Sequence, residues 1–143
     1  MVIYELGLTK SGVPLISKQY YEEHNMAVDP VLRSGFLSAL NSFAEQAFSD
    51  EIESFTMKNF RIVLLTYNKD ELSVTSYCIG DKNLNLKVTK KALTKILDKF
   101  INKFGIKKLP KDLSKFDNFL PVFDEILGDF AKKPEDRLKS IFG

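Results

Sequence analysis

The spacing of apolar positions changes period along the chain, and each change marks an element. Val2, Tyr4, Leu6 and Leu8 alternate with Ile3, Glu5 and Gly7, the two-residue period of a strand. Ser11-Gly12 supplies a turn, and residues 15–21 read as a second strand that closes a hairpin. Pro14 has no N–H to give a ladder, so this second strand suits a sheet edge. The period then becomes helical. Asp29 is a good N-cap, and Pro30 falls at the first helical position, where no hydrogen bond is lost. Leu32, Phe36, Ala39, Leu40, Phe43 and Ala47 share one side of this helix and are its expected core face. Three strand patterns follow, over 51–57, 60–67 and 72–79, with joins at Lys58-Asn59 and Asn68-Lys69-Asp70 short enough for hairpins. The unbroken run Ile62-Val63-Leu64-Leu65 predicts a central strand buried on both faces.

A second helix carries Leu93, Ile96, Leu97, Phe100, Ile101 and Phe104 as one stripe, with Gly105 placed as its C-terminal cap and Lys91, Lys95 and Lys99 opposite. Beyond Leu109-Pro110, a further apolar pattern runs through Phe119, Leu120, Phe123, Leu127 and Phe130, and Pro121 starts or kinks that helix. Pro134 opens a last short helix with Leu138, Ile141 and Phe142. The order is β-β-α-β-β-β-α followed by helical segments. A sheet apolar on both faces needs cover on both, so the expectation is an α/β fold: an α-β-α sandwich around a five-stranded mixed or antiparallel sheet. The crossover through the first helix places strand two at one edge and strand three at the other. Residues 1–105 form the expected core, and 106–143 a helical segment that packs on it or extends it.

The helix Asp29-Pro30-x-Leu32-x-Ser34-Gly35-Phe36-Leu37-x-Ala39-Leu40-x-x-Phe43, set after a hairpin in this element order, resembles the longin domain. It is most similar to the stand-alone longin-like proteins of archaea with eukaryote-like trafficking components. Roadblock domains, which are circularly related, begin with a helix, so the strand-first order favours longin. The resemblance covers about residues 1–105. It implies a non-catalytic platform that dimerises and binds small Ras-like GTPases, trafficking proteins, or other longin or roadblock domains. It carries no functional residue onto a position of this chain, and it does not account for the tail from Ile106 to Gly143.

Composition adds little to this and removes several alternatives. At 143 residues with 44% apolar and 28% charged positions, the chain reads as one globular domain, and with 12 phenylalanines and no tryptophan its core is expected to be built around phenylalanine. One cysteine excludes an internal disulfide. The first residues, Met1-Val2-Ile3-Tyr4-Glu5, do not read as a signal peptide, and a cytoplasmic location is expected. No Gly-rich phosphate loop and no Gly-x-Ser-x-Gly is present. His24, the single histidine, follows Glu22-Glu23 in a loop pattern and is expected to be an ordinary exposed side chain. Cys78 falls in a strand pattern and reads as a buried, inert thiol. The carboxylates of Glu22-Glu23 and Asp50-Glu51-x-Glu53 flank turns and read as solvated. No enzyme activity, metal or cofactor is expected.

The net charge of +2 hides an asymmetry: residues 81–115 hold 11 lysines against Asp81, Asp98 and Asp112. The lysine face of the second helix, Lys91, Lys95 and Lys99, reads first as a solvated surface and second as a contact for an anionic membrane or an acidic protein. Without an arginine fork or interleaved aromatics, it does not read as a nucleic-acid site.

The expected partner surface lies at the first helix. Leu37 and Phe48 sit about 100–120° from the centre of its apolar stripe, and with Ala44 they widen it beyond what one sheet face should cover. Either a neighbouring segment covers them, or they join Phe55 and Met57 of the adjoining edge strand in an exposed strip suited to a symmetric dimer. Gly35, Ser38 and Ser42 form a small-residue strip that lets the sheet, or a partner's element, approach closely. The rival reading is a small-molecule sensor of PAS or GAF type, its ligand seated against the sheet near Tyr4, Tyr77 and Cys78.

Overall fold

The computed structural model describes residues 2–20, 29–69, 72–105 and 113–130. Glu22, Glu23, His24, the Leu109-Pro110 join and the expected helix with Leu138, Ile141 and Phe142 lie outside them. Five strands form one antiparallel sheet: β1 (Ile3–Lys10), β2 (Val13–Gln19), β3 (Ser54–Thr56), β4 (Phe60–Lys69) and β5 (Leu72–Asp81). Their order is β2-β1-β5-β4-β3, so strands two and three are the two edges. Every pairing is antiparallel, and the middle strand is β5 rather than β4. The run in β4 is nonetheless buried on both sides, through Ile62 and Leu64 on one face and Val63 on the other.

Helix α1 (Pro30–Phe48) starts as its sequence dictates. The Asp29 carboxylate accepts from the N–H groups of Val31 and Leu32, and Pro30 occupies the first turn. Helix α2 (Leu86–Phe104) is capped by Asn85 and ends at Gly105, whose φ of 53° places it in the left-handed region. Its buried stripe contains Leu93, Ile96, Leu97 and Phe100. A 3₁₀ helix (Leu113–Phe119) leads into α3 (Leu120–Phe130), with Pro121 in the first turn.

Two apolar clusters show which helix covers which face. Leu6, Leu8, Val63, Val74 and Cys78 pack with α2, the 3₁₀ helix and α3. Ile62, Leu64, Tyr77 and Ile79, of opposite parity along their strands, pack under α1 through Leu37. A register shift between Ile3 and Glu5 breaks the alternation in β1 and sends Tyr4 to the α1 face, away from Leu6 and Leu8. The core does not close at residue 105. Phe100 and Phe104 meet Phe116 and Phe119 at ring separations of 4.9–6.2 Å, and Phe119 meets Phe123 at 5.7 Å.

The seating of α1 differs from the expectation. Leu37 and Ala44, taken from the sequence as outward interface residues, are buried against the sheet. Leu32 and Phe43, from the expected core stripe, are 70% and 66% exposed. The cause lies in the sheet. On the α1 face, β1 presents Glu5, Gly7 and Thr9, while β4 and β5 present Thr66 and Thr75 at their far ends. Buried polar groups need polar partners: Arg33 at the start of α1 pairs with the buried Glu5, and the serine side of the helix faces inward with it. Ser34 is fully buried, and Ser38 lies over Gly12, where a Cβ on that glycine would stand 3.7 Å from the Ser38 Cβ. Gly35, by contrast, faces open space, so the small-residue strip does not run through it.

Candidate functional site

Helix α1 is held at its N-terminal end by a buried polar cluster. Arg33 forms an ion pair with Glu5, which is 2% exposed. Glu5 also accepts from the Tyr77 hydroxyl at 2.8 Å and from Gln19 Nε2 at 3.1 Å. Burial pushes the Tyr77 phenol up to about 12, the nearby Arg33 charge opposing that rise, and burial pulls the Arg33 guanidinium below its usual range. Farther along, Leu37 and Ala44 are the apolar anchors.

This seating leaves one side of α1 free. Its apolar stripe points about 120° away from the sheet normal, toward β3, where Phe36 meets Phe55 edge-to-face at 6.0 Å. Val31, Leu32, Phe36 and Phe43 are exposed, and so are Phe48 at the helix end and Met57 beyond β3. Among the described residues, β3 pairs only with β4. Backbone bonds from Leu64 N to the Glu53 carbonyl and from Met57 N to the Phe60 carbonyl extend its contact on either side of the three ladder residues. The result is an apolar wall beside an unpaired strand edge. Of the residues expected at an interface, Phe55 and Met57 belong to this surface; Phe48 is exposed at the helix end but stands about 100–120° from the stripe, and Leu37 and Ala44 are buried. Leu32, Phe36 and Phe43 were missed because their regular spacing reads equally well as a core stripe.

The other side of α1 overhangs a cleft of about 500 Å³. The sheet lines it with Thr9, Thr66, Ser73 and Thr75, and the helix with Ser38, Asn41, Ser42 and Glu45. Tyr4, Tyr77 and Cys78, the residues expected to serve a ligand, do not line it. Tyr4 packs edge-to-face on Phe60, Tyr77 is committed to Glu5, and Cys78 is fully buried on the α2 face, where burial raises its thiol pKa far above the usual range. A thiol so placed is inert. The cleft residues carried a signal in the sequence: Ser38, Asn41, Ser42 and Glu45 continue from Ser34 as a polar stripe as regular as the apolar one. Periodicity alone does not say which stripe meets the sheet.

On the opposite face of the molecule, Lys91, Lys95 and Lys99 are exposed along α2. Lys99 lies 3.8 Å from Glu125 of α3, and Lys90 pairs with Glu53. Among the described residues, no three His, Cys, Asp or Glu side chains are grouped to hold a metal ion, and no helix is long and apolar enough to cross a membrane. No family model and no curated protein matches the chain.

Proposed function

We propose that this chain is a non-catalytic scaffold of longin type that acts through the exposed side of α1 and the edge of β3. The observation behind this reading is the continuous apolar surface of Leu32, Phe36, Phe43 and Phe55 beside a strand with one open side. Large apolar patches of this kind mark interaction surfaces. An antiparallel edge strand can pair with a copy of itself across a two-fold axis, which brings the two α1 walls together. The first partner is therefore a second copy of the chain or another longin or roadblock domain. The dimer in turn is the platform for a small Ras-like GTPase or a trafficking-type protein, a role that rests on the resemblance and on the strand-first order.

Light scattering on the purified chain over a wide concentration range tests the first step. The expected mass is that of a dimer, returning to a monomer in Phe43→Asp. Capture of small Ras-like GTPases from the same organism, loaded with GDP or with a non-hydrolysable GTP analogue, tests the second. A chain that stays monomeric and retains no GTPase in either state overturns the reading.

A further inference from the structure

We propose that the buried Arg33–Glu5 pair is a latch on the rotation of α1. While it is made, the apolar wall of the helix faces outward. When it is broken, the helix rolls about its own axis by about 120° and lays that wall on the sheet. The roll follows from the packing of α1; that it governs a docking surface rests on the scaffold reading above.

The observed seat of α1 is not the one that apolar burial favours. The helix buries Ser34, Leu37 and Ala44, while Leu32, Phe36 and Phe43 stay exposed. Apolar surface left in water costs stability in proportion to its area. Ser34 is fully buried, and its Oγ has no hydrogen-bond partner among the described residues. An unsatisfied buried hydroxyl is a second cost. At 100° per residue, a roll of about 120° reverses both. Phe36, Leu40, Phe43 and Ala47 then face the sheet, Leu37 and Ala44 move to the flank, and Ser34 reaches water on the outer side.

The sheet accepts either seat. Ile62, Leu64 and Ile79, with Ile52 and Phe60 packed beside them, form an apolar floor. That floor runs toward β3, where the stripe already touches Phe55 through Phe36. At the far end the Thr66 and Thr75 hydroxyls bond one another at 3.0 Å, so an apolar cover does not strand them. The cleft of about 500 Å³ gives Ser38, Asn41, Ser42 and Glu45 room to swing outward.

Charge opposes the roll. Arg33 pairs with the buried Glu5, and the Tyr77 hydroxyl of β5 and Gln19 Nε2 of β2 fix that carboxylate in place. A roll carries Arg33 away while Glu5 stays in the sheet. Breaking a buried pair is strongly unfavourable, because it strands a charge. One polar contact thereby selects between two packings of the same helix.

Thiol labelling reads the seat directly, because the native Cys78 is fully buried and reports only unfolding. Ala44→Cys places a thiol on the sheet side of α1, and Ala47→Cys places one on the exposed stripe. At a dilution where light scattering gives a monomer, Ala47→Cys should react fast and Ala44→Cys slowly. Adding Glu5→Gln, which keeps the shape of the side chain without its charge, should reverse the two. Labelling at position 44 should rise about a hundredfold, as for removal of one partner of a buried pair. Arg33→Gln should do the same, and Arg33→Lys, which keeps the charge, should not. Unchanged rates in both charge-removing variants overturn the proposal. So does fast labelling at both positions with Cys78 protected, which is a detached helix. Labelling of Cys78 in both variants also overturns it, since the pair is then ordinary core. A parent chain that is monomeric at every concentration counts against the scaffold reading alone, because the labelling test does not need the dimer.

Discussion

Glu5 and Gly7 decide where α1 can sit, and both act through Tyr77. The ring of Tyr77 lies across Gly7, its partner on the adjacent strand, and a Cβ at position 7 would fall within it. Tyr77 is 1% exposed and its hydroxyl is held by Glu5, so the ring cannot move aside. Gly7→Ala should therefore destabilise the fold by about 1–3 kcal/mol, as overpacking does, measured by urea denaturation. The same phenol sets an alkaline limit. Its pKa is about 10 in an unfolded chain and about 12 in the fold. Stability from this group is complete below pH 10 and is lost as pH rises through the folded value, because the unfolded chain gives up the proton first. Urea midpoints measured from about pH 9 to about pH 12 should fall, and fall less steeply in Tyr77→Phe. Tyr20, whose hydroxyl donates to Asp124 at 3.0 Å and whose pKa burial also raises, supplies the slope that remains.

At the scale of elements, α1 is the informative one. Its caps and length follow from Asp29, Pro30 and the helical period, and those were legible. Its rotation was not. The helix carries an apolar stripe and a polar stripe, and the sheet face below it presents Glu5, Thr9, Thr66 and Thr75, so the polar stripe turned inward. In α2 no such conflict arises. Leu6, Leu8, Val63, Val74 and Cys78 offer an apolar floor, and the stripe of Leu93, Ile96, Leu97 and Phe100 lies where its period put it. The two sides of α1 predict opposite outcomes for the same substitution. Leu37→Asp buries a charge under α1 and should cost about 3 kcal/mol or more. Phe43→Asp should leave the unfolding midpoint within about 0.5 kcal/mol of the parent and lower only the mass seen by light scattering. If both variants stay folded, or both unfold, the seating of α1 is wrong.

For the whole molecule, the C-terminal helices are part of the core. Phe100 is fully buried between Phe104, Phe116 and Phe119, and Asp124 of α3 reaches back to Lys18 of β2 at 2.6 Å. That lysine holds the Asp124 carboxylate below its usual range. A chain ended at Gly105 should therefore lose its near-ultraviolet circular dichroism and bind a hydrophobic dye, because its aromatic cluster would open to water. Retention of a sharp, cooperative melt would show instead that the first 105 residues stand alone. The molecule also separates its surfaces: the apolar wall and the polar cleft flank α1 on one side of the sheet, and the lysines of α2 lie on the other.

Local chemistry, carried by neighbouring residues, determined the elements: turn residues at Ser11-Gly12, the cap at Asp29, the terminator at Gly105, alternation in the strands and the stripe of α2. It also set the order of elements, from which the two sheet edges follow. Tertiary structure decided which side of α1 meets the sheet, and with it which residues are exposed. That choice depends on strand faces brought together from β1, β4 and β5, of which β1 and β5 pair although they lie more than 60 positions apart in the chain. A helical period reports that two stripes exist; only the polarity of the surface beneath selects between them.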